Sequence, residues 1–277
     1  MNNTELLNKK IEEYESKGMF DVDVNEDPET KELLPKDVDY LCKKFSSKVK
    51  RNIANFIADH YFKRLIKKDV IIIDKIEGEE KIKDALQNGA IITCNHFSPF
   101  DNYIIFHCIR KYLPKKYLYK IIREGNYTSF KGLYGFFFRH CNTLPLSSNM
   151  RTMMNCMVAI NTLLKSGESI LIYPEQAMWY NYKKPRPFKI GAFKFAKKAN
   201  VCILPLFISM KDDTRLDQDG YPIQRHTLHV LDPIYPTDGD AETLKNIAYF
   251  RCKEKYEEVY GKKLIYSKEE LWELSGI

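Results

Sequence analysis

The sequence predicts an α/β fold, with a central mixed sheet flanked by helices and an N-terminal helical extension before it. Three observations predict it. Short apolar runs at 70–73, 90–94 and 169–173 have strand length. Segments of helical period, such as 150–165 and 241–260, lie between or after such runs. The two kinds alternate along most of the chain, which is the order of a sheet with helices on its faces.

Residues 5–17 read as a short helix with Leu6, Leu7, Ile11 and Tyr14 towards one side. Residues 18–36, with Gly18, Asp21, Asp23, Glu26, Asp27, Pro28 and Pro35, read as an acidic linker. From 37 to 68, Leu41, Phe45, Val49, Phe56, Ile57, Tyr61 and Leu65 recur at helical spacing. Lys43, Lys44, Lys48, Lys50, Arg51, Lys63, Arg64, Lys67 and Lys68 lie between them. An apolar face beside a basic flank fits a helix resting on anionic lipid. It also fits a helix packed on the main domain with a solvated basic face. The domain boundary is therefore placed between an extension at 1–68 and an α/β domain at 69–277.

Strand 70–73 opens that domain. A helix at 79–87 follows, and Gly89 leads into strand 90–94. Strand 117–122, an aromatic-rich segment at 130–139, strand 142–146, helix 150–165 and strand 169–173 come next. Helix 192–198, strands 201–209 and 226–231 and helix 241–260 complete the series.

The chain has 277 residues, 44% apolar, enough for a sizeable core. The net charge of +7 favours anionic partners without choosing among them. Nucleic acid is disfavoured, because no recognised binding module or basic-aromatic sheet motif is present. Seven cysteines, an odd number with no C-x-x-C spacing, argue against a disulfide framework or zinc cluster and for a reducing cytoplasm. The N-terminus is polar and acidic, unlike a signal peptide. No stretch approaches the roughly 20 apolar residues that span a bilayer, so membrane contact is expected to be peripheral, on the inner face.

Two constellations carry candidate chemistry. In Cys94-Asn95-His96-Phe97-Ser98-Pro99-Phe100-Asp101, a strand empties into a turn and a helix start. Ser98 suits the N-cap, Pro99 the first helical position and Asp101 the third. A carboxylate fixed there can hold one ring nitrogen of His96 and leave the other free to take a proton from a hydroxyl. Asp101 alone would also read as a capping carboxylate. The other histidines have no such setting, and His226 and His229 point to opposite faces of a strand, so no metal site is expected. In Leu171-Ile172-Tyr173-Pro174-Glu175-Gln176, Glu175 is presented at the end of a strand, where ligands collect in such sheets. Lys183, Lys184, Arg186, Lys189 and Lys194 follow it, a set that could hold a phosphate-bearing polyol. Trp179, Tyr180 and Tyr182, interleaved with these charges, suit a lip at a membrane interface.

Asn95-His96-Phe97-Ser98-Pro99-Phe100-Asp101 resembles the N-H-x-x-x-x-D motif of the glycerolipid acyltransferase superfamily, the family of 1-acylglycerol-3-phosphate acyltransferase. Tyr173-Pro174-Glu175 resembles its F-P-E-G motif, Phe188-Lys189-Ile190-Gly191-Ala192 its F-K-x-G-A, and Val201-Cys202-Ile203-Leu204-Pro205 its last apolar block. These blocks keep the family's order over roughly residues 80–235.

The resemblance implies acyl transfer from a thioester, on coenzyme A or acyl carrier protein, to the hydroxyl of a lysophospholipid or related membrane lipid. His96 would be the general base, oriented by Asp101, with no acyl-enzyme and no bound cofactor or metal. Asn95, Arg123, Glu175 and Lys189 are the candidate substrate-binding residues, Glu175 facing the acceptor headgroup. The chain departs from the pattern after Glu175, where Gln176, Ala177 and Met178 replace G-T-R, and at 143–148, where the expected Arg is missing. The departures leave open a second reading, a lipid-binding or regulatory protein of the same fold without turnover.

Overall fold

A computed structural model describes residues 3–24, 29–114, 117–217 and 220–266. In chain order the elements are α1 (Asn3–Ser16), α2 (Phe45–Lys67), β1 (Ile72–Glu77), α3 (Ile82–Leu86), β2 (Ala90–Thr93), α4 (Asp101–Ile109) and β3 (Leu118–Ile122). Then come α5 (Glu124–Thr128), α6 (Gly132–His140), β4 (Thr143–Pro145), α7 (Met150–Lys165), β5 (Ser169–Ile172), α8 (Gly191–Ala199), β6 (Cys202–Leu216), β7 (Pro222–Val230) and α9 (Ala241–Tyr260).

The strands form a seven-stranded mixed sheet in the order β1-β7-β6-β2-β5-β3-β4. Strands β6, β2, β5, β3 and β4 run parallel, β7 runs antiparallel to β6, and β1 runs parallel to β7. Strand alternation sorts the side chains between two cores. Ile91, Tyr119, Ile170, Ile172, Ile203 and Phe207 pack on one face with α7, α8 and α9. Ile92, Leu118, Leu171, Leu204 and Ile208 pack on the other with α3 and α4. Central β2 and β5 are buried throughout, which is why their sequences are continuous apolar runs. Before β2, Gly89 has φ +79°, and a Cβ there would stand 2.7 Å from the Glu168 carbonyl oxygen. The close entry of β2 beside β5 thus requires glycine.

Several sequence expectations change. The helix expected over 37–68 starts only at Phe45, because the Asp39 carboxylate accepts the Lys43 and Lys44 N–H groups at 3.0 and 2.9 Å and holds a turn there. The stretch expected as an acidic linker is instead a strap pinned to the domain at buried apolar points, with most of its described residues exposed or half-buried. Phe20, Val24 and Leu33 are all buried, and Phe20 and Val24 join Ile11 and Tyr40 in the α7–α9 core. Glu26, Asp27 and Pro28 lie outside the described residues. Strands β6 and β7 extend well past 209 and before 226 as an antiparallel hairpin, where the polar run Lys211-Asp212-Asp213-Thr214-Arg215 hid the strand from a reading by apolar runs.

Helix α2 is apolar on two sides. Ala54 is fully buried against Phe137 and Cys141, while Phe62 and Leu65 pack on the α3–α4 core. Outward, Phe45, Val49, Ile53, Phe56 and Ile57 form an exposed stripe, Phe45 at 81%. Among the described residues no helix is long and apolar enough to cross a membrane.

Candidate active site

The ends of β2, β5 and β3 lie side by side at one sheet edge, and the chain leaving each strand builds the site. Strand β2 ends while β6 continues, which leaves the Ile208 backbone groups beyond the ladder. The Asn95 amide replaces the missing strand residue. Its Oδ1 accepts the Ile208 N–H at 2.8 Å and its Nδ2 donates to the Ile208 carbonyl at 3.0 Å. An amide carries the donor and acceptor that a peptide would have supplied. Asn95, which the sequence offered as a substrate-binding residue, is 2% exposed and anchors the turn.

His96 follows. Its Nδ1 lies 2.7 Å from Asp101 Oδ2. A carboxylate only accepts, so Nδ1 carries the hydrogen, and in the neutral ring Nε2 then keeps a lone pair. Among the described residues no hydrogen bond to Nε2 is formed, and the side chain is 20% exposed. His229 contrasts with it. That ring lies at the far sheet edge, held by Glu77 at 2.7 Å and Ser209 at 2.8 Å, with both nitrogens engaged.

Asp101 is fully buried at the first position of α4, not the third as its spacing suggested. The helix starts late because Ser98 Oγ accepts the Phe100 N–H at 3.1 Å and holds a local turn. Asp101 Oδ2 also reaches back to the Phe97 and Ser98 N–H groups at 3.3 and 3.4 Å. The carboxylate therefore binds the turn before its helix and the His96 ring at once, and it makes no capping bond to the N–H groups of α4 itself.

Two further side chains complete this centre: Tyr173, to which the sequence reading gave no chemical role, and Arg186, which it had placed in a phosphate-holding basic set. The Tyr173 ring stacks on the His96 imidazole, with centroids 3.9 Å apart and planes 11° apart. Its hydroxyl donates to Asp101 Oδ1 at 2.6 Å and lies 3.3 Å from Asn102 Oδ1. Burial, reinforced by the Asp101 charge, pushes the phenol well above its usual range, so it stays a donor. The signal was present in the motif, where Tyr replaces Phe and adds a hydroxyl.

Arg186 is the second. It is fully buried and binds Glu175 through its backbone N–H at 2.9 Å, Nε at 3.1 Å and Nη2 at 2.6 Å. Nη1 donates to the Phe20 carbonyl at 2.9 Å, Nη2 to the His96 carbonyl at 3.1 Å, and the guanidinium lies over the Trp179 ring. Glu175 Oε2 in turn accepts the His96 N–H at 3.1 Å. Glu175, expected to face a headgroup, is 2% exposed and here buttresses the His96 backbone through these bonds. Gln176 adopts φ +65°, a left-handed conformation that costs roughly 1–2 kcal/mol for a residue with a Cβ.

Trp179 is also fully buried, its Nε1 donating to the Val22 carbonyl at 2.8 Å, which removes it from any interfacial lip. Lys189 and Arg123 do stand at this edge, but each meets a strap carboxylate. Lys189 pairs with Asp21 at 2.9 Å, and Arg123 pairs with Asp23.

Beside Tyr173, a cavity of about 100 Å³ opens between α2, α4, α6 and β3. Asn102 lines it, so it shares a residue with the Tyr173–Asp101 pair. Phe62, Phe106, Leu118 and Phe137 make its walls mostly apolar, and burial lowers the Lys120 ammonium from its usual range. Among the described residues, no group of three or more His, Cys, Asp or Glu side chains could hold a metal ion.

Residues 74–209 match the family model described as Acyltransferase. No curated protein matches the sequence. In fold the chain is similar to the 1-acyl-sn-glycerophosphate (LPA) acyltransferase PlsC from Thermotoga maritima, with a TM-score of 0.57 and 19% identity over 82% of this chain and 87% of that one.

Proposed function

We propose, from the match of residues 74–209 to the Acyltransferase family model and the fold similarity to PlsC, that the chain moves a fatty acyl group from a thioester to the hydroxyl of a lysophospholipid-type acceptor. The observation that carries the reading is the His96 ring. One nitrogen is fixed by a buried carboxylate, and the other presents a lone pair at the sheet edge where the strand ends converge.

In this mechanism Nε2 takes the proton of the acceptor hydroxyl as the oxygen attacks the thioester carbonyl. A tetrahedral oxyanion forms, the C–S bond breaks, and the imidazolium returns its proton to the leaving thiolate. Asp101 keeps the ring in the reactive tautomer and stabilises the imidazolium. Tyr173 holds the second Asp101 oxygen and supports the ring face. The apolar cavity beside Asn102 is suited to the first carbons of the acyl chain. The donor, carried by coenzyme A or acyl carrier protein, is a co-substrate and not a resident cofactor. Purified protein incubated with both donor types and a lysolipid panel should give His96-dependent product. Lipid binding with no turnover on any pair would instead identify a lipid-binding protein.

The same reading places the protein on the membrane surface through the outward stripe of α2. Lys44, Lys48 and Lys50 flank Phe45, Val49, Ile53 and Phe56, so burial of apolar area and attraction to anionic headgroups act together. Changing Phe45, Ile53 and Phe56 together to Ser should lower sedimentation with vesicles containing anionic phospholipid by at least about tenfold without unfolding the exposed stripe's helix. Undiminished sedimentation would remove α2 from the membrane contact.

A further inference from the structure

Four cations stand in the loop after β5, and each is matched by a carboxylate. Lys183 pairs with Asp212 at 2.7 Å, Lys184 with Glu15 at 2.6 Å, Arg186 with Glu175 at 2.6 Å and Lys189 with Asp21 at 2.9 Å. Arg123, at the end of neighbouring β3, pairs with Asp23. Lys194, the next cation along the chain, is exposed on α8 outside this network. Three of the five carboxylates come from residues 15–23, which cross the loop as a strap.

The strap is fixed by more than charge. The Phe20 and Val22 carbonyls accept from Arg186 and Trp179, and Asp23 Oδ1 accepts the Met178 N–H at 3.0 Å. Phe20 and Val24 are buried on either side of the two aspartates. The arrangement lies close to His96 through the backbone. The Trp179 N–H, one residue from Met178, donates to the His96 carbonyl at 3.3 Å. The Lys189 N–H donates at 2.8 Å to the carbonyl of Pro174, next to Glu175. Lys189 and Arg123 remain 49% and 45% exposed, so an approaching headgroup can reach them, but only together with their aspartates.

A phosphomonoester carries between one and two negative charges at neutral pH and needs unpaired cations or N–H donors to replace its water. Resting on the acyl-transfer reading, we propose that Asp21 and Asp23 are specificity-determining residues that select an acceptor with a neutral or zwitterionic headgroup and disfavour a phosphomonoester. Their carboxylates hold the places on Lys189 and Arg123 that a phosphate would take, and they repel one that approaches.

The test compares lysophosphatidic acid, lysophosphatidylcholine and monoacylglycerol as acceptors for the full chain, in mixed micelles with coenzyme A and acyl-carrier-protein donors. The wild-type kcat/KM should be at least about tenfold lower for lysophosphatidic acid than for the better of the other two. D21N/D23N should narrow that ratio by about tenfold, through KM, which is the scale expected from relieving two partly exposed like-charge contacts. A wild-type preference for lysophosphatidic acid, or a ratio that D21N/D23N leaves unchanged, overturns the proposal. Asn at 23 keeps an acceptor for the Met178 N–H; if the double variant unfolds, D21N alone, at an exposed site, should still narrow the ratio about threefold. A calorimetric titration of lysophosphatidic acid into the His96→Ala chain reads the same property without turnover. Binding should tighten on adding D21N/D23N, and unchanged binding overturns the selection. Tighter binding with no turnover by the wild type would uphold the selection and reject acyl transfer.

Discussion

Turnover by the His96→Ala chain is expected to fall about 10²–10⁴-fold, the range a positioned general base contributes, with little loss of stability. The side chain is partly exposed, and the backbone groups of His96, which hold the turn together, survive the substitution. Steady-state rates with the best donor–acceptor pair measure the first effect, and thermal melts the second. Asp101→Asn should cost nearly as much. An amide at 101 can donate to Nδ1, which would move the hydrogen to Nε2 and abolish the base. Tyr173→Phe keeps the stacked ring and removes only the hydroxyl bond to Asp101, so its loss should be the smallest of the three. A His96→Ala chain that keeps a tenth or more of wild-type activity would mean that another group takes the proton.

Arg186→Met is expected to be the most destabilising single change at the site, by about 3–5 kcal/mol, because it leaves the Glu175 carboxylate buried without its counter-charge. The Phe20 and Ala177 carbonyls would also lose their Arg186 donor, and the His96 carbonyl would keep only the Trp179 N–H. Glu175→Gln combined with Arg186→Met should recover part of the loss, since a neutral amide costs less to bury than a lone charge. Urea denaturation of the wild type, both single variants and the pair gives the cycle. A cost below about 1 kcal/mol for Arg186→Met would show that the pair does not support the turn. Activity should fall along with stability, because Glu175 and Arg186 grip the His96 backbone from its two polar ends.

What could be read from the sequence divides along the distance between interacting residues. The elements were legible where burial is two-sided. Strands β2 and β5 are apolar at every position because both faces are covered, and Met150–Lys165 shows the helical period of a helix with one buried face. The His96–Asp101 contact was legible for a related reason. Five residues separate the pair, and a turn into a helix start leaves few ways to place them. The structural part played by Asn95 was not legible, because an amide beside a histidine looks like chemistry. Its partner is Ile208, a backbone more than a hundred residues away that periodicity does not reveal.

By itself, the sequence determined an α/β sheet flanked by helices, the turn that holds His96 against Asp101, and a second turn centred on Glu175. These depend on local period, capping and the exposure of strand ends. Only the tertiary structure decided which charges are available. It turned Glu175 inward onto Arg186, put the Tyr173 hydroxyl on Asp101, and laid Asp21 and Asp23 across Lys189 and Arg123. An ion pair joins whichever groups the packing of the whole chain brings within a few ångströms. For Asp23 and Arg123 that meeting spans a hundred residues, a separation at which neither spacing nor composition carries a signal.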